Sequence, residues 1–116
     1  MKKYFILSFM LFSMGSVAAE DQWSGNVKVL EIYTGYKQGF FLFRTTGTAL
    51  NPANCKQSGL NSVETSNADV ESVLSVLLAA KMSDKEVKIA VDGDRCGTSG
   101  IEHLSDKPSV SRVVIL

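Results

Sequence analysis

The sequence predicts a mainly β fold with one α-helix: five strands wound as a Greek-key barrel in the order β-β-β-α-β-β. Three observations lead there. Short runs rich in Val, Ile and Phe alternate apolar and polar residues, the period of a strand. Gly, Asn, Asp and Pro cluster between those runs, as turns require. A single stretch, from Val70 to Leu78, carries a helical stripe, and it falls between the third and fourth strand runs.

The chain begins with Lys2 and Lys3, an apolar run from Tyr4 to Met14, and Val17 and Ala19 at the −3 and −1 positions before Glu20. Residues 1–19 are expected to be a secretory signal peptide. The apolar run is short of the roughly 20 residues a membrane span needs. No second long apolar run follows, so no membrane span is expected after the signal is removed. Residues 20–116 form the expected single domain, periplasmic or secreted. Without Lys2 and Lys3 the 12 basic residues fall to 10 against 12 acidic ones, a net charge of −2. That balance does not attract phosphate backbones, which argues against nucleic-acid binding.

Trp23 to Thr34 reads as the first strand, and Lys28 and Glu31 break its alternation as a bulge or bend would. Thr34 to Gly39 is a hairpin turn. In the second strand, Phe40 to Thr46, Phe41, Phe43 and Thr45 share one face and Phe40, Leu42 and Arg44 the other. Both faces start apolar, so both are expected to be covered, by the barrel interior on one side and a packed loop on the other. A ligand or a neighbouring subunit on one face is the alternative. Gly47 to Leu60 is loop, and a short third strand follows at Asn61 to Thr65.

Ser66 and Asp69 resemble a capping box. Val70, Val73, Leu74, Leu77 and Leu78 form the expected buried stripe of the helix. Its opposite face (Asp69, Ser72, Val76, Ala79, Ser83) is small and nearly uncharged, suited to plain exposure or to packing against a second subunit. Val87, Ile89 and Val91 mark the fourth strand, Asp92 to Pro108 a long loop, and Val110 to Leu116 the fifth strand. A five-stranded OB-like barrel has this layout. An open α+β sandwich would show the same elements with the sheet left unclosed.

Two cysteines in an exported chain read as one disulfide, Cys55–Cys96. Two free thiols or a metal pair are the alternatives, and the 41-residue separation without nearby histidines argues against metal. Asp92-Gly93-Asp94 opens like a calcium loop, but the twelfth position is His103, where an EF-hand needs a bidentate Glu. Neither metal nor cofactor is expected. His103 is the single histidine, and no serine or cysteine sits in a nucleophile motif, so catalysis is not expected.

Ligands of OB-type barrels lie over strands 2 and 3 and the loops joining strands 1–2 and 4–5. Those regions supply Tyr33, Tyr36, Lys37, Phe40, Arg44, Asp94, Arg95 and His103. Aromatic rings beside short polar groups suit a sugar.

The early hairpin, a cysteine before the helix, a helix ending in a short polar turn and the strand Glu86-Val87-Lys88-Ile89 recur in order and spacing in one family. From Val27 to Leu116 the chain resembles small exported bacterial proteins of the OB-fold toxin B-subunit type, such as that of subtilase cytotoxin. The resemblance implies a glycan-binding, ring-forming homo-oligomer. This chain departs from the toxin subunit in having one cysteine pair where that subunit has more, and no sugar-binding motif of the family maps onto particular positions. The expected function is an exported, non-catalytic binding module for glycans. A periplasmic inhibitor or accessory protein, docking on another exported protein through residues 92–108, is the alternative.

Overall fold

The computed structural model describes residues 20–36, 39–97 and 105–116. The expected Lys37 and His103, and the expected signal peptide 1–19, lie outside the described residues. Among the described residues the fold is mainly β with one helix. Strands β1 (Gln22–Trp23), β2 (Val29–Tyr33), β3 (Phe40–Thr45), β4 (Asn61–Glu64), β5 (Val87–Cys96) and β6 (Pro108–Ile115) form one sheet, and α1 spans Val70–Met82. The strand order is β1-β5-β6-β4-β3-β2. Neighbours are antiparallel except β4 and β6, which run parallel at Ser62–Ser109.

Among the described residues there are six strands where five were expected, because the first expected strand is divided. β1 pairs with β5 and β2 with β3. Between them Ser24 holds β5, its N–H donating to the Ile89 carbonyl at 2.8 Å and its Oγ accepting from the Ile89 N–H at 2.9 Å. Val27 then exchanges both backbone bonds with Val87, at 2.8 and 2.9 Å. The two ends of the strand order are therefore one continuous stretch of chain. The break in alternation at Lys28 and Glu31 has its physical counterpart in a register shift between Val29 and Glu31, which leaves Leu30 as the extra residue.

Phe41, Phe43 and Val63 point to the interior with Val29, Ile89, Val91 and Val110, and the helix closes this core with Val73, Leu77 and Ala80. Burying a ring such as Phe43 contributes about 1.5–3 kcal/mol. The helix stripe differs from expectation at one position. Ala80 is buried, whereas Leu78 is 43% exposed. The buried row runs Val70-Val73-Leu77-Ala80 against β6, so Leu78 falls past its edge.

The helix start also differs. Asp69, not Ser66, is the N-cap, with its Oδ1 accepting from the Ser72 N–H at 3.1 Å. Ser66 is drawn into a preceding turn in which the Glu64 carbonyl accepts from Asn67 and Ala68 at 3.0 and 2.9 Å. No helix among the described residues is long and apolar enough to cross a membrane.

The expected 92–108 loop is shorter, because β5 continues to Cys96 and β6 starts at Pro108. Between the pairs Val91–Val110 and Cys96–Pro108, residues Asp92 to Arg95 stand opposite Ser109 alone, a wide bulge. Asp92 turns into the protein here. It accepts a hydrogen bond from the Asn67 amide, which also donates to Ser109 Oγ at 2.9 Å. Burial raises the Asp92 carboxyl above the usual aspartate range, against the lowering effect of the Asn67 bond.

Cys55 and Cys96 form the expected disulfide, with Cα atoms 5.8 Å apart. Its surroundings form a clasp over the outer side of β4. Gly97 donates to the Lys107 carbonyl and accepts from the Asp106 N–H, at 2.8 and 2.9 Å, and the Gln57 N–H reaches the Asp106 carbonyl at 3.0 Å. A Cβ on Gly97 would lie 2.8 Å from Ser62 Oγ and 3.1 Å from Glu64 Oε1, so the clasp presses directly on β4. Leu42, Ser62 and Glu64 are buried although they do not face the core. Both faces of the strands are covered here, as the apolar start of β3 implied.

Candidate functional site

Residues directly opposite each other in an antiparallel pair project on the same face. Tyr33 stands opposite Leu42 and Glu31 opposite Arg44, while Phe40 stands opposite Glu64 and Leu42 opposite Ser62. Glu31, Tyr33, Phe40, Arg44 and Glu64 thus share one outward face of β2, β3 and β4, with the clasp covering its middle.

On one side of that face Glu31 organises two of the sequence-predicted residues. The Tyr33 hydroxyl donates to its Oε2, and Arg44 Nη2 donates to its Oε1 at 2.6 Å. These bonds, the Tyr33 hydroxyl first, lower the Glu31 pKa below the usual glutamate range. The same contact raises the Tyr33 phenol and the Arg44 guanidinium above theirs. At neutral pH Glu31 is therefore an ionised acceptor and Arg44 a fixed cation. Arg44 also lines a shallow cleft with Thr45, Gly47, Ala49, Ser58, Gly59 and Asn61, whose volume is about 220 Å³. Hydroxyls, a guanidinium and an amide share that cleft with apolar surface of similar extent.

At the other end, Tyr36 stacks on Phe40 with ring centroids 5.3 Å apart and planes 10° from parallel. The pair forms a half-exposed aromatic ledge. Gly39, at φ 64°, closes the turn against Thr65, whose Cγ2 would lie 3.0 Å from a Cβ there. This brings the β2–β3 turn beside the turn after β4. There Arg95 Nη2 donates to Ser66 Oγ at 3.1 Å and stands 3.8 Å from Glu64 Oε2. The Nε of Arg95 is buried without a hydrogen-bond partner among the described residues.

The fold thus gathers Tyr33, Tyr36, Phe40, Arg44 and Arg95 around one strand face and its rim. Asp94 is exposed in the β5 bulge and joins neither polar group. Sequence reasoning missed the carboxylates that hold these residues, Glu31 and Glu64, and also Ser66. The available signal was the i, i+2 spacing of Glu31 and Tyr33, which places two side chains on one strand face. Ser66 has the residue type and spacing of a helix cap, which conceals its bond to Arg95.

Chemically, the face offers aromatic surface at one end and a guanidinium beside an ionised acceptor at the other, with the clasp over the middle. No protein-family model, curated protein or solved structure matches the chain.

Proposed function

We propose that this chain is an exported, non-catalytic binding domain that takes a glycan on the outward face of β2, β3 and β4. The observation that carries the reading is the Tyr36–Phe40 ledge on the same face as the Glu31–Tyr33–Arg44 cluster. A sugar ring presents apolar C–H faces that stack on aromatic rings and hydroxyl edges that pair with charged groups. Glu31, already ionised, accepts from hydroxyls, and Arg44 donates to them.

The scaffold in this reading is an OB-type barrel. Three features support it: the residue 22–33 stretch pairs with β5 through its first part and β3 through its second, β4 and β6 are parallel, and the helix lies between β4 and β5. Ligands of that architecture use the strand face described above. The domain acts as a homo-oligomer, which multiplies weak single-site affinity. The exposed Leu78 and Met82 on α1 favour such assembly.

A glycan array probed with the exported form, paired with sedimentation, tests the reading. The expected result is a restricted set of glycan hits, lost in Tyr36→Ala/Phe40→Ala, from a protein larger than a monomer. A folded monomer with no hits overturns it. Retention of a periplasmic protein that free sugars do not displace would favour the inhibitor reading instead.

A further inference from the structure

The clasp holds a second chemistry that the closed disulfide conceals. The two cysteine sulfurs and a carboxylate oxygen of Asp106 all lie within 4.8 Å of one another. They come from three segments: the loop after β3, the end of β5, and the residue two before β6. Ligand atoms sharing one tetrahedral zinc ion sit about 3–4 Å apart, given metal–ligand bonds of about 2.0–2.3 Å. Reduction frees the two sulfurs to separate toward that spacing beside the Asp106 carboxylate. We infer that the reduced clasp is a binding site for a thiophilic divalent cation of the zinc type, ligated by Cys55, Cys96 and Asp106.

Hydrogen bonds tie the segments that carry the ligands, in addition to the S–S bond. Asn51 holds the Cys55 backbone through both its amide atoms, each at 2.8 Å. The hydrogen bonds Gly97 to Lys107, Asp106 to Gly97 and Gln57 to Asp106 hold the other two segments together. Asp106 adopts φ 57°, a left-handed conformation tolerated by Asp and Asn, and both its backbone groups are engaged. Lys107, the adjacent cation, gives its ammonium to Gln57 Oε1 at 2.8 Å. Two thiolates and one carboxylate suit zinc or cadmium better than calcium or magnesium, which prefer oxygen alone. Three protein ligands leave a fourth position for water.

The chemistry balances with a dithiol reductant. Its two thiols are oxidised to a disulfide, their hydrogens pass to Cys55 and Cys96, and the cation then displaces the two thiol protons. The site would be available before the disulfide closes during export, or after it is opened in a thiol-rich setting. In either case the metal replaces the covalent link between the Cys55 and Cys96 segments and adds Asp106 as a third tie.

The test is anaerobic titration of the reduced protein with Co²⁺, followed by displacement with Zn²⁺. The expected signals are thiolate-to-cobalt charge transfer and the visible bands of a tetrahedral site, with native circular dichroism in the metal-bound state. Asp106→Asn keeps the left-handed backbone and is expected to weaken metal affinity tenfold or more. Cys55→Ser is expected to abolish the thiolate bands of a two-sulfur site, and the oxidised protein to show none. If the reduced apo chain unfolds, added Zn²⁺ is expected to restore native circular dichroism. Metal uptake without the native fold, equal affinity in Asp106→Asn, or no uptake by the reduced chain overturns the inference.

Discussion

Replacing both cysteines with serine should remove a large share of this domain's stability. The disulfide joins positions 41 residues apart. In the chain-entropy treatment a closed loop of that length contributes about 4 kcal/mol at room temperature. A domain the size of residues 20–116 has total stability on the order of 5–15 kcal/mol, so this link accounts for roughly a quarter to most of it. With about 4–8 °C of melting temperature per kcal/mol at this size, Cys55→Ser/Cys96→Ser should melt about 16–32 °C below the parent. The assay is urea unfolding followed by circular dichroism, with thermal melts of the same samples. Because the link restrains the unfolded chain, the variant should also show a steeper dependence on denaturant, as more surface is exposed on unfolding. A loss under about 1 kcal/mol would refute the reasoning. It would mean that the clasp's hydrogen bonds already hold residues 51–57 against 96–107 without covalent help.

Gly97→Ala should cost about 1–3 kcal/mol by overpacking, because its Cβ would meet Ser62 Oγ at 2.8 Å while that hydroxyl is donating to the Pro108 carbonyl at 3.1 Å. A variant with unchanged midpoint in urea would show that the clasp can lift off β4. Asp92 tests the buried polar network through pH. Its folded pKa is raised by burial, so its favourable contribution is present below the unfolded value and lost as pH rises through the folded one. The stability of Asp92→Asn relative to the parent should therefore grow as pH is raised from about 3 to 7, and a constant or reversed difference in urea melts would contradict the assignment. Asp69→Ala should lower stability by about 1 kcal/mol through loss of the cap on the Ser72 N–H, whereas Ser66→Ala should leave helix stability alone and loosen Arg95.

Period and turn chemistry were readable in the sequence wherever one physical effect governed. Phe41 and Phe43 alternate into the core, the slip at Lys28 and Glu31 became the Leu30 bulge, and two cysteines had one pairing to make. What was hidden depends on contacts far apart in sequence. Asp92 and Gly93 look like loop residues, yet a bulge carries them inside β5, where the Asn67 amide donates to the Asp92 carboxylate and is itself held by Ser109 Oγ. Ser66 has the identity of a cap, but Arg95, 29 residues later, takes its hydroxyl. Leu78 fits the helical stripe, and only the direction from which β6 approaches makes Ala80 the buried neighbour. In the candidate site the aromatic and basic members were legible from residue type. Their partners Glu31 and Glu64 were not, since an acidic residue on a strand is ordinarily just a solvated one.

Chemical-shift mapping on the ¹⁵N-labelled protein, using a sugar taken from the array hits, examines the proposed binding face most directly. The predicted result is a contiguous set of shifts at Tyr33, Tyr36, Phe40, Arg44 and Ser66, with affinity lowered at least tenfold in Tyr36→Ala/Phe40→Ala while the rest of the spectrum stays native. Shifts confined to α1 and β6, or full sugar affinity in that variant, would contradict a glycan site on the outward face of β2, β3 and β4.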